Sequence, residues 1–291
     1  MTTTDHAGIR RGVSTSPDPA IAARELFEAL NQPGIELALF YCSPTYDREA
    51  LGTELARHFG DLRLIGCTTA GEITPAGYLD GSLTGVSIAG TDFRVAIERF
   101  DELSEVRAND VAERTAAAVA GMAQSGTKPA REDTFAFLLI DGLCMREELI
   151  VSGVYRGLGH LRVFGGSAGD GTRFQRTEVY VDGAFRSDCA ILALVHTRRP
   201  FTVFRTQHFV PSDDKMVVTG ADASNRIVFE INGSPAGMEY ARVLGVEVDE
   251  LTPLVFATHP VMVRVGGQHY VRSIQKVNDD GSLTFFCAID E

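Results

Sequence analysis

Gly165-Gly166-Ser167-Ala168-Gly169 sets a serine between glycines in the pattern G-x-S-x-G, the spacing with which a strand-to-helix elbow presents a nucleophile in serine hydrolases. Asp and His residues follow in the chain order such a mechanism requires. The elbow also needs a helix directly after the serine, and the following DGTRFQRTEVYVDGAF reads as loop and strand. A phosphate cradle fares worse, because there is no Gly-Lys-Ser/Thr and no helix for the turn to open. Earlier in the chain, LIGCTTAGE (Leu64–Glu72) is nearly the same stretch. Gly66 answers Gly165, Thr68 answers Ser167, Gly71 answers Gly169 and Glu72 answers Asp170, allowing one gap. Small residues let backbone N–H groups approach a ligand, or let two copies of a motif pack closely, and both uses are open here. Gly66, Cys67, Thr68, Thr69 and Gly71, with Gly165, Gly166, Ser167 and Gly169, are therefore expected to line a ligand pocket. A hydrolase using Ser167 is the alternative.

Metal chemistry has little to stand on: no C-x-x-C, no H-E-x-x-H and no close His/Cys group of the zinc type occurs. Haem asks for less, since one neutral imidazole in an apolar cleft is enough. Of the seven histidines, His6 falls in the N-terminal tail, His58 and His160 at helix-strand joints, and His196 beside a turn; these four read as surface residues. His208 is expected to end a strand beside Phe209. His259 is expected between two apolar strands in LVFATHPVMV, where Pro260 holds it extended, and His269 opens HYVRSIQ. His259 has the most apolar flanks and is the first candidate for an axial or metal ligand, followed by His208 and His269. Arg264 and Arg272 are candidates for answering haem propionates. Met238 and Tyr240 read as core. Cys67, expected in a loop, would need exposure and a lowered pKa to act as a redox sensor.

The elements that must position these residues come in two copies. LALFYCSPTYDREALGTELARHFGDLRLIGCTTAGE superimposes on FAFLLIDGLCMREELIVSGVYRGLGHLRVFGGSAGD. Each has an apolar strand, a turn with Arg-Glu, an amphipathic helix, a second strand and the small-residue turn. Leu51, Leu55 and Phe59 share one face of the first helix, ahead of Gly60; Leu149, Gly153 and Leu158 share one face of the second, ahead of Gly159. A helix over 18–31, capped by Asp18, precedes the first unit, and an Ala-rich helix over 108–124 the second. Two apolar strands are expected after each turn, so that the unit reads β-α-β-β-β. Beyond residue 212 the pattern changes: Ser234 as N-cap and Pro235 at the first helical position open a helix that stops at Gly245. Strands at 254–257, 261–265, 269–275 and 283–288 then read as an antiparallel meander. The expected fold is α/β: two tandem repeats forming a mixed-sheet sandwich (12–211, halves 12–105 and 106–211), followed by a partial, mainly antiparallel α+β domain (212–291).

Composition narrows the function. A formal net charge of −12 argues against a nucleic-acid phosphate binder, whose affinity comes from Lys and Arg. Five scattered cysteines suggest reduced, buried thiols. Neither a signal peptide nor a long apolar run appears in the sequence, which points to the cytoplasm and away from a membrane.

LIGCTTAGEI, VFGGSAGDG with TEVYVDG, and VFEINGSPAGMEYARVLG with HPVMV and HYVRSIQKVNDDGSL together resemble the FIST family of prokaryotic sensory proteins. The resemblance implies a non-catalytic, ligand-sensing protein, with a C-terminal domain longer than the segment present. Its expected partners are a histidine kinase of a two-component system or a diguanylate cyclase or phosphodiesterase, and a homo-oligomer is compatible with it. One branch, the nitric-oxide-sensing haemoproteins called NosP, binds haem through a histidine. In its sharpest form the resemblance therefore implies haem b and a gas ligand; a haem-free module sensing an amino acid or similar metabolite is the alternative.

Overall fold

The computed structural model describes residues 8–171 and 173–290. They form two compact units, divided after Phe204.

In the first unit the chain runs β1 (Ile9–Ser14), α1 (Pro19–Leu30), β2 (Ile35–Cys42), α2 (Arg48–Phe59), β3 (Leu64–Thr68), β4 (Glu72–Thr74), β5 (Gly77–Leu79) and β6 (Leu83–Ala89). The same order then repeats as β7 (Phe93–Asp101), α3 (Ala108–Gln124), β8 (Thr134–Ile140), α4 (Glu147–Leu158), β9 (Arg162–Ser167), β10 (Val179–Val181), β11 (Ala184–Arg186) and β12 (Cys189–Thr197). The duplication extends to topology, because β1-β6-β2-β3 in one sheet matches β7-β12-β8-β9 in the other. Sequence reading ended the first copy near residue 105. The pairing moves that boundary to between β6 and β7, since β7 is hydrogen-bonded along its length to β12 of the second sheet. The second of the two strands expected after Ser187 does not form: residues 198–217 carry no helix or strand.

Local signals account for the helices. Asp18 caps α1 by accepting from the Ala20 and Ile21 N–H groups (2.9 and 3.0 Å), with Pro19 at the first position. Asp47 caps α2 through the Ala50 N–H, and Leu51, Leu55 and Phe59 are buried as their spacing requires. Three apolar clusters follow: α1 and α2 on the outer face of the first sheet, α3 and α4 on that of the second, and a third formed by residues of both sheets, including Ile65, Phe137, Ile191 and Val179.

The halves differ at one place. Hairpin β10–β11 of the second copy leaves its own sheet and pairs with β3 of the first, through Val179↔Cys67 and Tyr180↔Gly66. Hairpin β4–β5 of the first copy pairs only with itself, so β3 is covered and β9 is an open edge.

The second unit holds β13 (Val218–Asp222), β14 (Ile227–Ile231), β15 (Ser234–Pro235), α5 (Ala236–Leu244), a 3₁₀ turn, α6 (Pro253–Thr258), β16 (Val261–Val265), β17 (Gln268–Arg272), β18 (Ile274–Val277) and β19 (Leu283–Phe285). Two expectations are corrected here. Residues 254–257 are helical in α6, because Pro253 is a good first helical residue. Ser234 does not cap α5: it pairs with Ile231 in β15, and Pro235 takes the cap position. Gly245 does end α5 in the left-handed region, at φ 73°.

The glycines of the two turns separate by what surrounds them. A Cβ on Gly165 would lie 1.9 Å from the Leu138 carbonyl oxygen, and one on Gly66 would lie 2.6 Å from that of Phe40, whereas Gly166 faces open space. Gly165→Ala and Gly66→Ala are expected to destabilise the protein by about 1–3 kcal/mol, and Gly166→Ala to stay within about 0.5 kcal/mol. Urea midpoints at constant m-value check this.

Candidate functional site

The two turns lie at the carboxyl ends of the parallel pairs β2–β3 and β8–β9, where Cys42 faces Thr68 and Ile140 faces Ser167. Carboxyl ends of parallel strands are where open α/β sheets place ligands. They meet directly: the Gly169 N–H donates to the Thr68 carbonyl (2.9 Å), and a Cβ on Gly169 would lie 3.2 Å from the Ala70 nitrogen. Thr68 also exchanges bonds with Glu178, its N–H donating to the Glu178 carbonyl (3.0 Å) and its Oγ1 accepting from the Glu178 N–H (3.1 Å).

Four buried carboxylates surround this junction, each supplied with donors. Glu72 accepts from Thr69 Oγ1 (2.5 Å) and from the Ser82 N–H and Oγ (3.1 and 2.7 Å). Asp141 accepts from the Leu143 and Asp188 N–H groups (3.0 and 2.6 Å) and from Thr177 Oγ1. Glu178 accepts from Arg176 (2.7 Å) and forms an ion pair, outside hydrogen-bond geometry, with the Arg48 guanidinium. Asp170 accepts from the N–H groups of Phe174, Gln175 and Arg176 (2.9, 2.8 and 3.0 Å). Burial pushes the Asp170 carboxyl up, but those three donors and Arg173 outweigh it and hold the group below the usual carboxylate range.

This junction corrects the expectation of two equivalent pocket walls. Gly66, Cys67 and Thr68 are buried in β3 alongside β10, while beyond the strand Thr69 is half-buried and Gly71 exposed. On the other side Gly165, Gly166 and Ser167 are exposed on the open edge of β9, and Gly169 packs against the first turn. Gly169 thus serves close packing between the copies, whereas Gly66 and Gly165 let neighbouring strands approach within one copy. Cys67 lies in β3 rather than in a loop, and burial pushes its thiol up to about 12, the opposite of what a redox sensor needs. Ser167 is the last residue of β9 and the described residues between it and β10 form no helix, so the nucleophile elbow does not form; its φ is not among the positive ones either.

The histidine set disperses. His259 is the C-cap of α6 and exposed, its Nδ1 3.0 Å from Thr258 Oγ1 and its carbonyl accepting from the Tyr240 hydroxyl (2.7 Å). Its apolar flanks belong to a helix and a strand that turn away from it. His208 is exposed in the segment without regular structure, in ring contact with Phe209. His269 faces Arg264 near the Gly266-Gly267 turn of the β16–β17 hairpin, and Arg272 faces Val261 at its other end. The two arginines therefore do not flank one histidine. His6 lies outside the described residues, among which no group of three or more His, Cys, Asp or Glu side chains could hold a metal ion. The residues proposed for haem supply an imidazole but no shared apolar enclosure, and haem does not fit them.

A cleft that sequence reasoning missed lies instead at β7. It has a volume of about 710 Å³, within the usual range for small-molecule sites. Arg63, Arg94 and Arg99 and the carboxylates Glu36, Glu98 and Asp182 bring both charges to it, over an apolar lining that includes Ile97, Met122 and Val181. Glu36 accepts from the Val95 N–H (3.0 Å) and from Arg63 (2.8 Å). Arg99 bonds Asp101 (2.8 Å) and pairs with Asp182, and these carboxylates push its pKa up. Arg94 donates to the carbonyls of Gly90 and, at 2.8 Å, Phe93. None of the six described histidines lines this cleft. Its residues come from β2, the α2–β3 connection, β7, α3 and the β10–β11 turn, too far apart in sequence to form a motif.

A duplicated α/β module with a charged cleft and a second, smaller unit has the build of a binding protein. The chain belongs to the FIST family: the FIST N domain model matches residues 36–234 and the FIST C domain model residues 236–291. FIST domains are sensory modules of signal transduction that bind small ligands. No curated protein matches the chain significantly. Among the described residues no helix is long and apolar enough to cross a membrane.

Because the Asp170 pKa is lowered by folding, its contribution to stability is present above the unfolded carboxylate pKa, about 3.9, and is lost as pH falls through the lower folded value. Asp170→Asn is expected to cost about 1–3 kcal/mol at pH 7 and to remove that part of the acid dependence, as read by urea denaturation at pH 7 and pH 3.5.

Proposed function

We propose that this chain senses a small zwitterionic metabolite of the amino-acid class in the β7 cleft and reports its bound state to a signalling protein. The observation that carries this reading is the meeting of guanidinium groups and carboxylates around one apolar-lined cleft. A ligand carboxylate is served best by planar, always-charged guanidinium donors, and Arg63 and Arg94 supply them. An ammonium group is answered by Glu98 or Asp182, and an aliphatic side chain by Ile97 and Met122. In the free protein several of these charges satisfy one another, so a ligand exchanges protein–protein pairs for protein–ligand pairs. That exchange favours ligands carrying both charges over simple anions. A histidine kinase or a cyclic-di-GMP enzyme is the partner class the family resemblance suggests, and the cytoplasm is the compartment consistent with it.

The haem-based, nitric-oxide-sensing reading rests on the resemblance and on His259, whose Nδ1 contact with Thr258 leaves the other ring nitrogen available. Haem, when bound, would supply the gas-binding iron. The exposed position of His259 favours the haem-free reading over it.

Thermal unfolding against a panel of amino acids and simple anions tests the proposal. At least one zwitterion is expected to raise Tm as binding to the native state requires, and Arg94→Ala to abolish the shift. Shifts by simple anions alone, or by nothing in the panel, would overturn it. Titration with ferrous haem is expected to leave wild type and His259→Ala spectrally alike; a Soret band that responds to nitric oxide in the wild type and is lost in the variant would restore the haem reading.

A further inference from the structure

The internal duplication shows what one half has and the other lacks. In the first half, the cross-strand pair Tyr180↔Phe185 of hairpin β10–β11 is laid against α2, where a Cβ on Gly52 would lie 3.4 Å from the Phe185 ring and where Ala56 is 3.8 Å from a Cβ on Gly183. Helices α2 and α4 have the same length and end at equivalent glycines, Gly60 and Gly159. Gly52 therefore corresponds to Val151 and Ala56 to Tyr155. Both α4 residues are exposed, Tyr155 at 63%, and on the open edge of β9 Phe164, which faces Phe135 and Phe137 on the other side of the sheet, is exposed at 44%.

The matching hairpin, β4–β5, carries its own cross-strand pair, Ile73↔Tyr78, in the position of Tyr180↔Phe185. Ile73 is 74% and Tyr78 is 85% exposed, which is unusual for large apolar side chains on a protein with a full core. One half thus shows a bare sheet edge with a bare helix face, and the other a bare hairpin whose counterpart covers the equivalent surface, there lined by the smaller Gly52 and Ala56.

We propose that hairpin β4–β5 of one copy adds to β9 of a second copy, with Tyr78 against Val151 and Tyr155, to form a symmetric dimer. A second copy is the occupant because the hairpin is tied within its own chain. Only residues 69–71 link it to β3, and its base is fixed by the Glu72 carboxylate, buried among Thr69 and Ser82. In the covered half residues 168–178 carry the chain to β10. The register transposed from Tyr180↔Gly66 sets Ile73 opposite Gly165, antiparallel, and gives each unpaired backbone edge a partner. The exchange is reciprocal, each copy's hairpin adding to the other's β9, so the pair closes with twofold symmetry; the same contact made in one direction only would propagate into a ring or filament. The inference does not depend on the ligand or on the cleft.

Sedimentation equilibrium of the full chain tests it. Wild type is expected to be dimeric, and Tyr78→Asp and Val151→Asp each to weaken association at least about tenfold, a factor worth 1.4 kcal/mol. Circular dichroism should be unchanged, because both residues are exposed. Mixing the two variants should partly restore dimers, since one intact hairpin then meets one intact face. In the Tyr78→Cys/Val151→Cys double variant, oxidation should link two chains, whereas neither single variant alone should crosslink. A monomeric wild type, variants that associate as well as wild type, or a disulfide formed within one chain would overturn the proposal.

Discussion

The reciprocal hydrogen bonds between Thr68 and Glu178 are the constraint on which the first unit depends. They start the antiparallel pairing of β10 on β3, and that pairing ties the β10–β11 hairpin of the second copy into the sheet of the first. Once β10 is in place, Tyr180 seals the α2 face and Val179 enters the cluster shared by both sheets. Glu178 is then buried at 1% exposure of its side chain and needs a cation. Arg48, at the start of α2, meets that need. A buried carboxylate without such partners would cost several kcal/mol, so the crossover, the helix start and the ion pair are one interdependent arrangement.

The same logic explains why so many acids lie inside an acidic protein. Glu72, Asp141 and Asp170 end connections that would otherwise leave backbone N–H groups unpaired. A carboxylate accepts several donors at once, which a hydroxyl cannot. Each acid holds one turn near the junction, and the turns then stack without large side chains. The glycines make this stacking feasible: Gly142 has the Ala168 carbonyl only 2.1 Å from where its Cβ would be. The apparent phosphate-loop or elbow chemistry of the small-residue turns is thus a by-product of two backbones approaching closely.

The fold was legible in the sequence wherever a pattern is local. The helix cap at Asp18, the apolar stripe of Leu51, Leu55 and Phe59, and the repeat of Gly66 in Gly165 all carried through to the structure. What failed was non-local or ambiguous. Residues 254–257 are apolar enough for either a strand or a helix, and only Pro253 leaned toward the helix. The assignment of β7 to the second sheet depends on partners far away in sequence. The charged cleft was invisible because Glu36, Arg63, Arg94 and Arg99 are unremarkable as single surface residues and acquire meaning only when the sheets bring them together. His259 failed for the converse reason: apolar neighbours in sequence are not apolar neighbours in space when a helix ends between them.

Strand β10 connects the cleft to the junction. Val181 and Asp182 line the cleft, and the strand that ends at Val181 begins next to Glu178, whose bonds to Thr68 fasten the two copies. On the proposed reading, a ligand that draws Asp182 away from Arg99 acts on the turn of the hairpin exchanged between the halves. Shifts of a packed strand are not absorbed locally, because interiors are dense and arrangements tend to be discrete. On the same reading, β10 connects Asp182 to Glu178, its Arg48 partner and the start of α2. On that reading a binding event at the cleft reaches the start of α2 through β10, without a large domain motion.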